Sequence, residues 1–216
     1  MGRPKISRKS TWVDMTAFCD VAFLLLSFFI MATKTKPPEA VSVVSPTSVS
    51  SKAPNEKDMV TVIINQNGKV FLTMSEPDRK QQVVETVAKN KGVSLSASDL
   101  AKAKNMEFFG TPITQLSSFV NLPADKIKGD LLPGIPAVDS TNNEVTDWMR
   151  AVYEVYYGET MNLFVKGDVN SKYPAFKQVV DAFKKNEMMK FSIITNSIAV
   201  PKDSELAKEA KKENAK

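Results

Sequence analysis

The chain has 216 residues, 43% of them hydrophobic and 25% charged, with a net charge of +5. This average suits one soluble domain of ordinary size plus extra segments, and it excludes a multispanning membrane protein. The basic residues are scattered and no aromatic-basic groove pattern accompanies them, so nucleic acid is excluded as a partner.

Histidine is absent, and the single cysteine is Cys19. That removes the commonest general base, the Ser-His-Asp and Cys-His arrangements, and most zinc chemistry. No Gly-rich phosphate loop or metal-ligand cluster offers another constellation, so neither an enzyme nor a cofactor is expected.

In chain order, residues 1–12 come first. Positions 1–10 carry four positive charges and no acid. By the positive-inside rule this end stays in the cytoplasm and the rest of the chain emerges on the far side of the membrane. Residues 13–33 then read as a transmembrane helix. From Met15 to Thr33 only Asp20 is charged, and a helix of that length covers about 28 Å, close to the thickness of a bilayer core. A cleavable signal peptide also begins with basic residues. The apolar run here is too long for one, it holds an acid, and no Ala-x-Ala site follows. An uncleaved signal anchor is the expectation.

Asp20 lies about a turn and a half into the helix. An acid at that depth costs about 3 kcal/mol to insert, which makes it a functional-site candidate by default. Thr16, four residues before it, and Ser27, seven after it, share its face and make a polar stripe. Asp14 falls on another face at the interface, where charge is cheap, and ranks lower. Two roles fit Asp20. It could carry protons, or it could only hydrogen-bond a neighbouring helix and staple an oligomer.

Residues 34–58 are rich in Pro and Ser and read as a flexible linker. Residues 59–197 read as the folded body. Val60–Asn65 and Val70–Thr73 are β-branched runs around Asn67-Gly68, a strong hairpin signal. Helices are expected from Ser75 to a stop at Gly92, over Ser98–Asn105, and in a short piece ending near Val120. Thr141 and Glu144 have capping-box spacing. The helix that follows should bury Val145, Trp148, Met149, Val152 and Val155, and run to about Tyr157. Phe108, Phe109, Trp148, Tyr156 and Tyr157 are read as core. A strand over Met161–Lys166, a turn at Gly167-Asp168, a helix from Tyr173 to about Met189 and a closing strand over Lys190–Thr195 complete the body. Asp168 is read as structural, closing the turn and helping to cap the helix. Residues 198–216 form a charged, solvated tail.

The run Asp14-Met15-Thr16-Ala17-Phe18-Cys19-Asp20-Val21, with Leu24 to Leu26 and Phe28-Phe29 behind it, resembles the membrane signature of the ExbD/TolR family. That signature is usually Asn-Val-Thr-Pro, two hydrophobic residues, Asp and a further hydrophobic residue. Thr16 and Asp20 match it. Asp14 replaces the usual Asn, Ala17 the usual Pro, and Ser27 is more polar than the residue typical there. Gly167, Asp168 and Tyr173 are similar to the family's Ala-Asp-x-x-x-x-Tyr step. Val41 to Pro46 resembles its Val-x-Val-x-Leu-Pro segment, with Ser45 in place of Leu; it reads either as plain linker or as a strand docked on the domain.

The resemblance implies an α+β protein: a single N-terminal transmembrane helix, a flexible linker, and a small periplasmic α/β domain. The stretch at about 76–140 is a helical insertion beyond the family's core. The resemblance also implies a homodimer in the inner-membrane bilayer, inside an ExbB/TolQ-like multispanning ring. That assembly uses the proton-motive force and passes force to a TonB/TolA-like protein. Asp20, helped by Thr16, would be the proton-coupling residue. The leading expectation is an ExbD-type role in energising outer-membrane transport. A TolR-type role in outer-membrane integrity and a passive membrane-anchored periplasmic adaptor are the alternatives.

Overall fold

The structure, a computed structural model, describes residues 15–33, 41–49, 57–123, 126–137 and 142–198. The chain divides into two units, Met1–Pro38 and Glu39–Lys216. The described part of the first is a helix, α1 (Met15–Ala32), with no buried residue. Its large side chains, from Phe18 to Met31, are exposed. By length and composition a helix of this kind is suited to lipid as its solvent.

The second unit is built on a four-stranded sheet of order β3-β2-β4-β5. β2 (Met59–Ile64) and β3 (Val70–Met74) form an antiparallel hairpin, with Val60 opposite Met74 and Ile64 opposite Val70. The expected Asn-Gly turn closes it. Asn65 Oδ1 accepts from the amides of Asn67 and Lys69, at 3.0 and 2.9 Å. Gly68 takes φ +77°, a left-handed value that favours glycine. β4 (Asn162–Gly167) lies parallel to the other side of β2, and the short β5 (Ser192–Ile193) lies parallel to β4. β2 is therefore the centre of the sheet. Its run Val60-Thr61-Val62 is buried throughout, so both faces are covered, and its β-branched sequence suits that place, with the Thr61 hydroxyl its one polar side-chain group.

Between β3 and β4 come α2 (Pro77–Lys91), α3 (Ala97–Lys104), a 3₁₀ turn (Ile113–Gln115), α4 (Leu116–Val120) and α5 (Glu144–Val155). α2 starts with Pro in its first turn and stops at Gly92, φ +68°. α3 opens on a capping box between Ser96 and Asp99. α5 buries Val145, Trp148, Met149, Ala151 and Val152. Trp148 stacks on Phe109 with ring centroids 5.2 Å apart. Phe109 also exchanges backbone hydrogen bonds with Leu72, and the Ile135 amide donates to Val70, so both cover the outer margin of β3.

α6 (Tyr173–Lys185) packs Val179, Ala182 and Phe183 inward. It ends before the expected Met189 because the chain turns at Asn186 and Glu187. Glu187 adopts φ +59°, and the Met188 amide returns to the Phe183 carbonyl. The closing strand divides in two: after β5, β6 (Asn196–Ser197) pairs with β1 (Thr47–Ser48) in a separate two-stranded ribbon.

Four further expectations are corrected. Tyr157 is 75% exposed; α5 has ended at Val155, so Tyr157 leaves the helical period and faces solvent. The Glu144 carboxylate does not close a capping box. It accepts from the Ile113 amide at 2.7 Å, and Asn143 is the N-cap; Thr141 lies outside the described residues. Asp168 does not cap α6, whose N-cap Lys172 has no side-chain bond. Finally, the stretch read as linker is not uniform. Residues 41–49 lie against the domain, with Val41 buried and only 3.0 Å from the space a Cβ at Gly129 would fill. The Val44 carbonyl accepts from Val169, Pro46 from Asn196 and Ser48 from Ile198. The strand pairing falls at Thr47–Ser48 and not within Val41–Pro46, where the exchange is through single bonds.

Candidate functional site in the membrane helix

Asp20 is the sixth residue of α1 and its only charged one. It is exposed, and among the described residues its carboxylate meets no hydrogen-bond donor and no cation. A carboxylate in that position, on a helix suited to lipid, requires a donor, a cation or water from beyond the described residues. Thr16 stands one turn before it and Ser27 two turns after it. At about 100° per residue all three fall within an arc of about 40°. Ser27 Oγ donates to the Leu24 carbonyl at 2.9 Å, and Thr33 Oγ1 to the Ile30 carbonyl at 2.8 Å. Such local bonds let a hydroxyl sit in an apolar helix at little cost. The rest of α1 is apolar, from Val21 to Leu26 and from Phe28 to Ala32. Asp14 lies outside the described residues.

The second pair of singled-out residues, Asp168 and Tyr173, belongs to the soluble unit. Asp168 is buried, and both its oxygens are in use. Oδ1 accepts from the Asn170 amide at 2.8 Å, which closes the turn after β4. Oδ2 accepts from the Val44 amide at 2.8 Å, which ties the 41–49 segment to that turn. The second contact has no signal in the sequence, because its partner is far away along the chain. Tyr173 opens α6 and is 72% exposed; it marks the start of the helix and contributes nothing to the core.

The charged groups with displaced pKa values elsewhere in the soluble unit are structural. Burial lowers that of Lys80, whose ammonium donates to the Met106 carbonyl. Burial raises the Tyr156 phenol to about 12. The side-chain bond to Glu159 raises that of Arg79, which also lies 5.4 Å over the Tyr156 ring and donates to the Val155 carbonyl. The Asn121 amide, followed by Ser96, holds Asp99 below the usual carboxylate range. These contacts fasten α2, α3 and α4 to one another and to the end of α5. Among the described residues, no group of His, Cys, Asp and Glu is arranged to hold a metal ion.

The described residues thus comprise one apolar N-terminal helix, long and apolar enough to cross a membrane and bearing a single acid, joined in sequence to a small α+β domain. A family model for the biopolymer transport protein ExbD/TolR matches residues 7–197, which takes in the helix, the sheet and the stretch read as an insertion. The chain therefore belongs to the ExbD/TolR family. No curated protein and no solved structure gave a match. Members of this family are transport proteins coupled to the proton-motive force. They are not enzymes, and they work with ExbB/TolQ and TonB/TolA partners. Together with α1, membership points to a single-pass inner-membrane protein.

Proposed function

We propose that this protein is the proton-coupled subunit of an ExbB-ExbD-TonB-type motor that energises transport across the outer membrane. The observation that carries the reading is Asp20: one acid, exposed and without a partner among the described residues, on an otherwise apolar spanning helix. The four positive charges in residues 1–10 favour a cytoplasmic N-terminus and a periplasmic domain. A homodimer inside a multispanning ring supplies the missing wall around Asp20.

A carboxyl group suits this task. Protonated, it is neutral and can pass an apolar wall of the ring. Ionised, it needs water or a donor. Each proton taken up or released therefore changes which surface of the ring Asp20 prefers. A proton crossing the membrane yields about 2.3 kcal/mol per 100 mV, enough to bias helix packing if no other route is open. Thr16, one turn away, supplies a hydroxyl beside the carboxyl. The soluble unit transmits the resulting motion to a TonB-like protein.

The test replaces Asp20 by Asn and by Glu in a strain of the native host lacking the gene, at matched membrane levels. Asn keeps the shape and the hydrogen-bonding capacity but cannot titrate. Iron-chelate uptake should collapse with Asn while assembly and the envelope remain sound. Loss of detergent resistance with uptake intact would assign the TolR-type role instead. Full activity of Asp20→Asn would reduce Asp20 to a helix staple and leave a passive adaptor.

A further inference from the structure

Ser27 is the polar group on α1 to which this mechanism assigns no role. It lies two turns beyond Asp20, about 10.5 Å along the axis and within about 20° of the same direction. Its hydroxyl donates to the Leu24 carbonyl at 2.9 Å. That bond occupies its proton within the helix and leaves the oxygen lone pairs as acceptors. Side chains on a helix lean toward its N-terminus, here toward Asp20. Ser27 is also the only α1 residue that is half-buried, its neighbours all being exposed. Beyond it, the same face continues with Met31, and α1 ends at Ala32.

A carboxylate and a hydroxyl this far apart on one helix cannot touch. They can share a file of about three waters, each step near 2.8 Å. An apolar wall alone does not hold such a file, because an ordered water needs two or more polar partners. We propose that Ser27 is a positioning residue for proton delivery to Asp20, anchoring the outer end of a water file on the C-terminal side of the carboxyl. The inference rests on Asp20 being the proton carrier. Ser27 Oγ accepts a hydrogen bond from a hydronium entering the file. Ser27 keeps its own proton on the Leu24 carbonyl and only positions the hydronium, which passes its excess proton to the next water of the file. The hydronium becomes water, and the last proton in the file converts the Asp20 carboxylate to the carboxylic acid. No other reactant is consumed. With the N-terminus in the cytoplasm, this end of the file faces the periplasm, the side from which protons enter.

The experiment uses the full chain with its partners in the native host, at matched membrane levels. It compares Ser27→Ala, Ser27→Thr and Asp20→Asn over a range of external pH. The readout is the energised activity that Asp20→Asn abolishes, whether uptake or detergent resistance. Ser27→Ala should lower that activity about fivefold, the factor that one lost hydrogen bond produces. It should also move half-maximal activity to lower external pH, because proton entry has become limiting. Ser27→Thr keeps the hydroxyl and should stay within about twofold of the parent. A loss that is the same at every pH would reveal a packing role and overturn the proposal. So would an unchanged Ser27→Ala beside an inactive Asp20→Asn. If Asp20→Asn itself stays active, the proton reading falls and takes the Ser27 assignment with it.

Discussion

Replacing Asp168 by Ala should separate the 41–49 segment from the domain without unfolding the sheet. The side chain makes two hydrogen bonds of 2.8 Å, one to the Val44 amide and one to the Asn170 amide. Bonds of this kind, with an ionised acceptor, contribute about 1.5–3 kcal/mol each. Val44 and Asn170 are both exposed, so water replaces part of what is lost. A total of about 2 kcal/mol is the working figure, which for a domain of this size lowers the melting temperature by about 4–8 °C. Amide hydrogen exchange locates the loss. Val44, Val169 and Asn196 are bonded across the junction between the segment and the domain. Their exchange should accelerate about tenfold or more, while amides of β2 and β4 change only with the global shift. Asp168→Asn keeps one acceptor oxygen but turns an amide N–H toward the other donor, so it should retain one of the two contacts. If Val44 exchanges at the parent rate in the Ala variant, the carboxylate does not hold the segment and the reasoning fails.

Trp148→Ala should cost about 3–5 kcal/mol, read as a lowered denaturant midpoint, because the ring is fully buried and stacked on Phe109. Asp99 gives a pH signature. Its bonds to Asn121 and Ser96 lower its pKa from 3.8 in the folded chain. Its stabilisation is therefore complete above that value and is lost as pH falls through the lowered one. Asp99→Asn should be less stable than the parent at neutral pH, and thermal melts in increasingly acidic buffer should show the gap closing.

Local signals carried well from sequence to structure. The Asn67-Gly68 turn, the Gly92 stop and the 3.6-residue spacing of Val145, Trp148, Met149 and Val152 each act within a few residues, and each is found where expected. Asp20 stands out in the sequence for a similar reason: a lone charge in a long apolar run contrasts with its own neighbours. Contacts set by the tertiary fold were not legible. Glu144 has the spacing of a capping box, but the Ile113 amide arrives from another loop and takes its carboxylate. Tyr157 continues an aromatic run but lies past the last turn of α5, where the helical period no longer predicts direction. The seat of residues 41–49 depends on Asp168 and on β6, both more than a hundred residues away, and a two-residue strand leaves almost no periodicity to detect.

The position of β2 at the centre of the sheet also sets an order of events in folding. β2 gains β3 through a tight turn, but its other neighbour is β4, so that Met59 waits for Asn162 and Ile64 for Gly167. While the chain is being made, one whole side of the strand has unpaired amides and carbonyls until everything from α2 to α5 has followed. Such high contact order slows folding, and it leaves an apolar strand open to capture by other chains in the meantime. Truncations that remove residues beyond 161 should yield aggregates, not a smaller folded domain.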